Sequence, residues 1–167
     1  ISNNYITALN KNRKYIRNVP EAATIDSQKK YVSEINNSND HFLFGLFDKD
    51  LLVATSTALR NTQKREVWSK LSNEFNGKNA TSIGIMIIEE DYKRKGLGKV
   101  LNYASSFIMN HSFNDTLFCA GMKVLNIASL KTSLSIGAKV YHQYADNIQT
   151  IWFFKEFDII ENLKIIK

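Results

Sequence analysis

The residues best placed to do chemistry lie between positions 83 and 99. There Ile83-Gly84-Ile85-Met86-Ile87-Ile88 passes through Glu89-Glu90-Asp91-Tyr92 into Lys93-Arg94-Lys95-Gly96-Leu97-Gly98-Lys99. The near-continuous apolar run from Ser82 to Ile88 reads as a central strand buried on both faces. From Gly96 the period becomes helical, so a basic, glycine-containing loop joins a strand to the start of a helix. The first N–H groups of a helix lack backbone partners, and the helix dipole adds partial positive charge there. Such a junction binds anions. Two glycines let a bulky anion approach the backbone, and the four cations of the loop suit a diphosphate. The bland alternative is a helix start carrying ordinary surface lysines; the buried strand and the dense basic cluster weigh against it. Two familiar phosphate loops fail on their own requirements. A Walker loop needs a glycine at position 93 and Ser or Thr after Lys99, where the chain has Lys93 and Val100. A dinucleotide fingerprint needs a small residue at 101, which is Leu101.

The elements around this loop follow from periodicity. Asn3 to Arg17 carries apolar residues at helical spacing and ends before Pro20. Ile25 to Asn36 reads as a second helix with Asp26 as N-cap. His41 to Phe47 and Leu51 to Leu59 form a hairpin about Asp48-Lys49-Asp50. Asn61 to Asn79 is polar, with Val67, Trp68, Leu71 and Phe75 at helical spacing, and reads as a short helix or ordered insertion. A helix over 96–110 follows the loop. Then come a strand over 116–124, a helix over 126–136 stopped by Gly137, and two antiparallel strands over 138–145 and 150–157. The expected fold is α/β (α+β), with helices flanking one central mixed, mostly antiparallel sheet. The chain starts at Ile1 rather than Met, and a first strand of that sheet is expected before residue 1.

The 167 residues fit one domain, and neither repeats nor a proline-rich linker divide them. One cysteine, Cys119, cannot make an internal disulfide, which excludes disulfide-framed secreted scaffolds. It lies between Phe118 and Ala120, where a buried inert thiol is the ordinary reading. His41, His111 and His142 show no ligand spacing with it, so no metal is expected. No apolar run approaches a membrane span, and no secretory signal opens the sequence. A cytoplasmic protein without a membrane partner is expected. Net charge is +6, which attracts anions of many kinds. The chain lacks a basic stripe interleaved with stacking aromatics, so no nucleic-acid partner is expected. Lys11, Arg13, Lys14 and Arg17 read as a solvated face.

Lys93-Arg94-Lys95-Gly96-Leu97-Gly98 resembles the Gln/Arg-x-x-Gly-x-Gly/Ala loop of the GCN5-related N-acetyltransferase (GNAT) family. Downstream, Asn126-Ile127-Ala128-Ser129 through Ile136-Gly137-Ala138 is similar to that family's Asn-x-x-Ala/Ser helix and its Gly-Phe ending. The element order matches over residues 25 to 157, and the branches acting on ribosomal-protein N-termini, amino sugars or aminoglycosides are closest in pattern. The resemblance implies one acyl-CoA N-acyltransferase-like domain over 1–167 that binds acetyl-CoA (coenzyme A). It places the cofactor on Met86, Ile87, Ile88, Lys93, Arg94, Lys95, Gly96, Leu97, Gly98, Lys99, Asn126 and Ser129. Loop amides would hold its pyrophosphate, and its pantetheine arm would pair with the strand near Met86 to Ile88. That pairing requires the sheet to part between the strands at 82–88 and 116–124.

Three positions depart from the family pattern. Lys93 replaces Arg or Gln, which keeps a cation but loses the bidentate fork. Ser133 stands where the family's usual tyrosine acid falls, seven residues after Asn126. Ala138 replaces the aromatic residue after Gly137. The resemblance implies direct attack by a primary amine in a ternary complex, with the acetyl group passing to a small molecule or a nucleotide-linked amino sugar. Ser133 and His142 are the candidate catalytic side chains; an ordinary helix serine and a structural strand histidine are their bland readings. Glu89 and Glu90 read as solvated surface. A protein N-terminal amine is the alternative acceptor, and a non-catalytic acyl-CoA-binding or scaffold module is the alternative class. Monomer and homodimer both fit. The loop further predicts that Gly98→Asp abolishes acetyl-CoA binding by placing a carboxylate among anion-facing amides.

Overall fold

The computed structural model of the chain describes residues 3–12, 22–60, 74 and 80–154. Two helices come first, α1 (Asn3–Asn12) and α2 (Ile25–Asn36). The Asn10 side chain ties them together, donating to the Ala23 carbonyl and accepting from the Ala23 amide at 2.9 and 2.7 Å. Tyr5 adds a hydrogen bond to Gln28. The N-cap of α2 is Thr24 rather than Asp26. Thr24 Oγ1 accepts from the Ser27 amide and Ser27 Oγ from the Thr24 amide, a reciprocal box that satisfies two end amides together. Asp26 falls inside the first turn, where its charge complements the helix dipole.

Strands β1 (His41–Asp48) and β2 (Leu51–Leu59) form the expected hairpin, with Asp48 opposite Leu51 and Lys49 in a left-handed turn conformation. The remaining elements are β3 (Ala80–Ile87), a short 3-10 turn (Glu90–Tyr92), α3 (Leu97–Phe113) and β4 (Leu117–Lys123). After them come α4 (Ile127–Ser135), β5 (Lys139–Tyr144) and β6 (Asn147–Phe153). The six strands form one sheet in the order β1-β2-β3-β4-β6-β5. Only β3 and β4 pair in parallel, because α3 crosses between them; the other neighbours are antiparallel.

Most boundaries shift by a residue or two, and two larger shifts have identifiable reasons. Helix α3 continues past Asn110 to Phe113, because the turn that ends it is left-handed Asn114, whose amide returns to the Asn110 carbonyl at 2.7 Å. Strand β6 starts at Asn147, not Thr150, since polar Asn147 and Gln149 alternate with Ile148 and complete the ladder to β4. The insertion at 61–79, apart from Glu74, and the end of the first predicted helix lie outside the described residues.

The sheet is covered on both faces. On one face α3 and α4 pack over Ala58, Ile83, Phe118, Met122, Ile148 and Trp152. Buried Ser56 and Ser105 share a 2.7 Å hydrogen bond there, and Trp152 Nε1 donates to Ser106 Oγ. The other face carries Ala80, Leu117, Cys119 and Ile151, with Tyr141 against them. Tyr31 of α2 meets His41 on that same face at the β1 edge. At the far end of α3 from the glycine loop, Asp115 accepts from Thr81 at 2.6 Å and from Arg60 at 2.9 and 3.2 Å. Arg60 also lies over the Phe113 ring. This buried cluster clamps β2, β3 and the start of β4 where the parallel pair begins.

Candidate cofactor cleft

Strands β3 and β4 stay in register for three residue pairs only: Ala80–Leu117, Thr81–Phe118 and Ser82–Cys119. Beyond them no described strand pairs with this edge of β3, so the sheet parts as the sequence reading required. The parting corrects one expectation. Strand β3 reads from sequence as buried on both faces, yet Gly84 is exposed and residues 85–87 are only partly buried, because the neighbour that would cover them has turned away.

Backbone direction narrows the set of residues that face the opening. The Ile88 amide donates to the Val53 carbonyl at 2.9 Å, toward β2. Hydrogen-bonding direction alternates along a strand with period two, so Met86 points its backbone the same way. Ile87 and Ile85 present theirs to the open edge. Of Met86, Ile87 and Ile88, therefore, only Ile87 offers an edge for pairing. Ile85 joins it; the alternation was present in the sequence, but its phase was set by the pairing with β2.

The glycine loop sits at the mouth of this parting. Lys93 has φ −69°, Arg94 +61° and Gly96 +79°, with Lys95 and the helical Leu97 on the negative side. Left-handed Gly96 followed by helical Leu97 turns successive N–H groups toward one concavity, the geometry of an anion-binding nest, whereas Lys93, with ψ 151°, is extended. The helix continues it: Lys99 and Val100 donate to the Gly96 carbonyl at 2.9 and 3.2 Å. The amides of Leu97 and Gly98, in the first turn, have no intrahelical acceptor. Left-handed Arg94 is a feature that residue type alone did not reveal.

The two glycines do different things. Gly96 needs its positive φ, and a Cβ there would meet nothing within 4 Å. A Cβ at Gly98 would stand 3.1 Å from Thr132 Cγ2, so Gly98 sets the approach of α3 to α4. Its side-chain direction is toward α4. Gly98→Asp would therefore collide with Thr132 as well as add charge, so loss of binding in it would not by itself report on the anion site.

The cations are partly committed to protein partners. Lys93 Nζ lies 2.9 Å and Lys11 Nζ 3.1 Å from the same oxygen of Glu90. Lys11 and Glu90 are exposed, as a solvated surface requires, and their ion pair ties α1 to the loop. The hydrogen bonds from Lys93 and then Lys11 hold the Glu90 carboxyl below the usual carboxylate range. Lys95 lies over the Tyr92 ring, and Tyr92 donates to Asp48. Arg94 is exposed.

At the far side of the cleft, Asn126 caps α4, its Oδ1 accepting from the Ser129 amide at 3.1 Å. Both residues thus shape the helix start beside the end of β4. Gly137 takes φ +81° just after α4, as the helix stop required. The two candidate catalytic side chains stand in different surroundings. Ser133 is buried on α4, with 3% of its surface exposed. His142 is exposed on β5, the outermost strand, beyond both β4 and β6. Cys119 is fully buried, and burial pushes its thiol far above its usual pKa. Among the described residues no cluster of His, Cys, Asp and Glu could hold a metal. No described helix is long and apolar enough to cross a membrane.

No family model and no curated protein sequence matches this chain. Solved structures do. The GNAT domain of S. lividans PAT superimposes with a TM-score of 0.69 at 10% identity, covering 90% of this chain and 81% of that one. An N-acetyltransferase from Staphylococcus aureus Mu50 gives 0.66 at 13% identity, covering 92% of each chain. The Campylobacter jejuni N-acetyltransferase PseH, in complex with acetyl coenzyme A, gives 0.58 at 12% identity and covers 93% of this chain and 94% of that one. The chain has the GNAT fold.

Proposed function

We propose that this chain is an acetyl-CoA-dependent N-acetyltransferase that acylates a primary amine, of a small molecule or an amino sugar, within a ternary complex. The observation that carries the reading is the parting of β3 from β4 after Ser82 and Cys119, with the glycine nest at its mouth. The residues present fit coenzyme A. The open edge at Ile85 and Ile87 suits the amides of a pantetheine arm, and the amides around Gly96 to Gly98 suit a diphosphate. That similarly folded PseH has been solved with acetyl coenzyme A supports the same choice.

When bound, the cofactor supplies an activated acetyl thioester. The chain's own part is to hold and orient it: the nest fixes one end and the β3 edge fixes the arm along the split. Orientation of two reactants in one site can account for a large part of a transfer barrier. Ser133 stands where the family's usual tyrosine acid falls, and this departure favours a second reading, a module that binds acyl-CoA without turnover.

Thermal unfolding with acetyl-CoA, coenzyme A, ATP and NAD in parallel tests the binding step. A ligand at 100 times its Kd adds about 2.7 kcal/mol of stability. Stabilisation by the two coenzyme A species alone is expected; no shift with either would remove the reading. Release of free thiol from acetyl-CoA in the presence of an amine panel separates the transferase from the silent module.

A further inference from the structure

Gln149 is fully buried, and neither its Oε1 nor its Nε2 has a hydrogen-bond partner. Two residues along the same strand, Asn147 Oδ1 is buried and unpaired as well. Buried side-chain polar atoms are nearly always satisfied, and an orphan asks for an explanation. The positions of these atoms supply one. Gln149 pairs across the sheet with Gly121, two residues beyond Cys119, where β4 has already left β3. Residues two apart on a strand share a face, so Asn147 and Gln149 share the face of Ile151 and Cys119, opposite α3. The remaining orphan, Thr150 Oγ1, points to the other face. Gly121 has no side chain to stand between Gln149 and the split. On the outer side His142 pairs with Gln149, and Tyr141 of the same strand donates a hydrogen bond to Glu74 from the insertion.

We propose that Gln149, assisted by Asn147, recognises the amine acceptor by hydrogen bonds to uncharged polar substituents, making hydroxyl-rich amines the preferred substrates. The inference rests on the transferase reading above and specifies its acceptor. A carboxamide offers both donor and acceptor without charge, which matches hydroxyl groups. It provides no counter-charge for an acidic or strongly cationic acceptor. The spacing of the two side chains, about 6.6 Å along the strand, fits a ligand with hydroxyls on more than one carbon. A site built to bond a hydroxyl rejects the analogue lacking it, because its buried polar groups are then left unpaired.

The test compares D-glucosamine with cyclohexylamine, two ring amines that differ in their hydroxyl groups, using acetyl-CoA and thiol release. The wild type is expected to favour glucosamine by tenfold or more in kcat/KM. Gln149→Met should bring that ratio near one, chiefly by raising KM for glucosamine. The same variant should raise the melting midpoint, because two unpaired polar atoms are replaced by an apolar chain of similar length. Asn147→Ala, at the strand end, should lower the ratio in the same direction. A Gln149→Met protein that keeps the preference, or that loses stability and both activities together, overturns the proposal. So does a wild type that binds acetyl-CoA yet acetylates both amines equally or neither. Absence of any acetyl-CoA stabilisation would instead bring down the transferase reading itself, and the proposal with it.

Discussion

Replacing Gly98 by Ala separates the packing of the glycine loop from its chemistry. The new Cβ would stand 3.1 Å from Thr132 Cγ2 and 3.5 Å from Thr132 Oγ1. Carbon contacts are relaxed at about 3.5–4.0 Å, so α3 and α4 must move apart by a few tenths of an ångström. Overpacking of this kind costs about 1–3 kcal/mol. Against it, Ala in a helix gains up to about 1 kcal/mol over Gly. The net loss is about 1 kcal/mol, which at this chain length lowers the melting midpoint by about 2–4 °C. Thr132→Ser removes only the offending methyl and keeps the Oγ1 bond to the Ala128 carbonyl. In that background the helix gain remains and the collision does not, so Gly98→Ala should raise the midpoint. The assay is a double-mutant cycle by thermal unfolding, with acetyl-CoA affinity measured by calorimetry on the same four proteins. The amide of residue 98 survives in every variant, so affinity in the double variant should stay within about threefold of the parent, well under the tenfold that 1.4 kcal/mol represents. Equal destabilisation in both backgrounds would refute the Thr132 contact. A tenfold loss of affinity in the folded double variant would show that the side chain points at the anion instead.

Asp115→Ala should destabilise by about 1–3 kcal/mol, because it leaves the buried Thr81 hydroxyl without its acceptor and takes a bidentate partner from Arg60, which keeps Asp40 at 3.8 Å. Coenzyme A affinity in the surviving folded fraction should be unchanged, since the cluster lies at the far end of α3; binding titrations below the lowered midpoint check this. Cys119 should resist Ellman's reagent in the native protein and react only on unfolding, because burial raises its pKa; prompt reaction of the native chain would contradict its burial. The Glu74 carboxylate raises Tyr141 to about 12. A raised tyrosine favours the neutral form, so the Tyr141–Glu74 link is intact below pH about 10 and is lost as pH climbs toward about 12. Tyr5, Tyr31 and Tyr92 are raised as well, so tyrosinate absorbance should show several late-titrating residues, of which Tyr141→Phe removes one. Glu90→Gln releases Lys93 and Lys11 from their shared carboxylate and should tighten coenzyme A binding with a steeper salt dependence. Weaker binding in that variant would mean that Glu90 positions the loop rather than competing for its cations.

Local sequence determined the elements and the chemistry of the loop. Residues 93–99 carry their signal in residue type: glycines at 96 and 98, with cations at 93–95 and 99 on either side, point to an anion site at a helix start. Periodicity likewise placed the strands, α3 and α4 to within a few residues, because burial of one face repeats along each element. Tertiary pairing decided the rest. That β3 parts from β4 after Ser82 depends on how far two strands separated by a helix stay parallel, which no window of residues records. Which of Ile85 to Ile88 face the opening depended on the register with β2. The direction of Gly98 toward Thr132, the Lys11–Glu90 tether and the isolation of Gln149 each join positions far apart in the chain. Ser133 and His142 show the same limit from the other side. Their residue types qualified them for acid–base work, but only the fold shows that one is buried on α4 and the other exposed on the outermost strand.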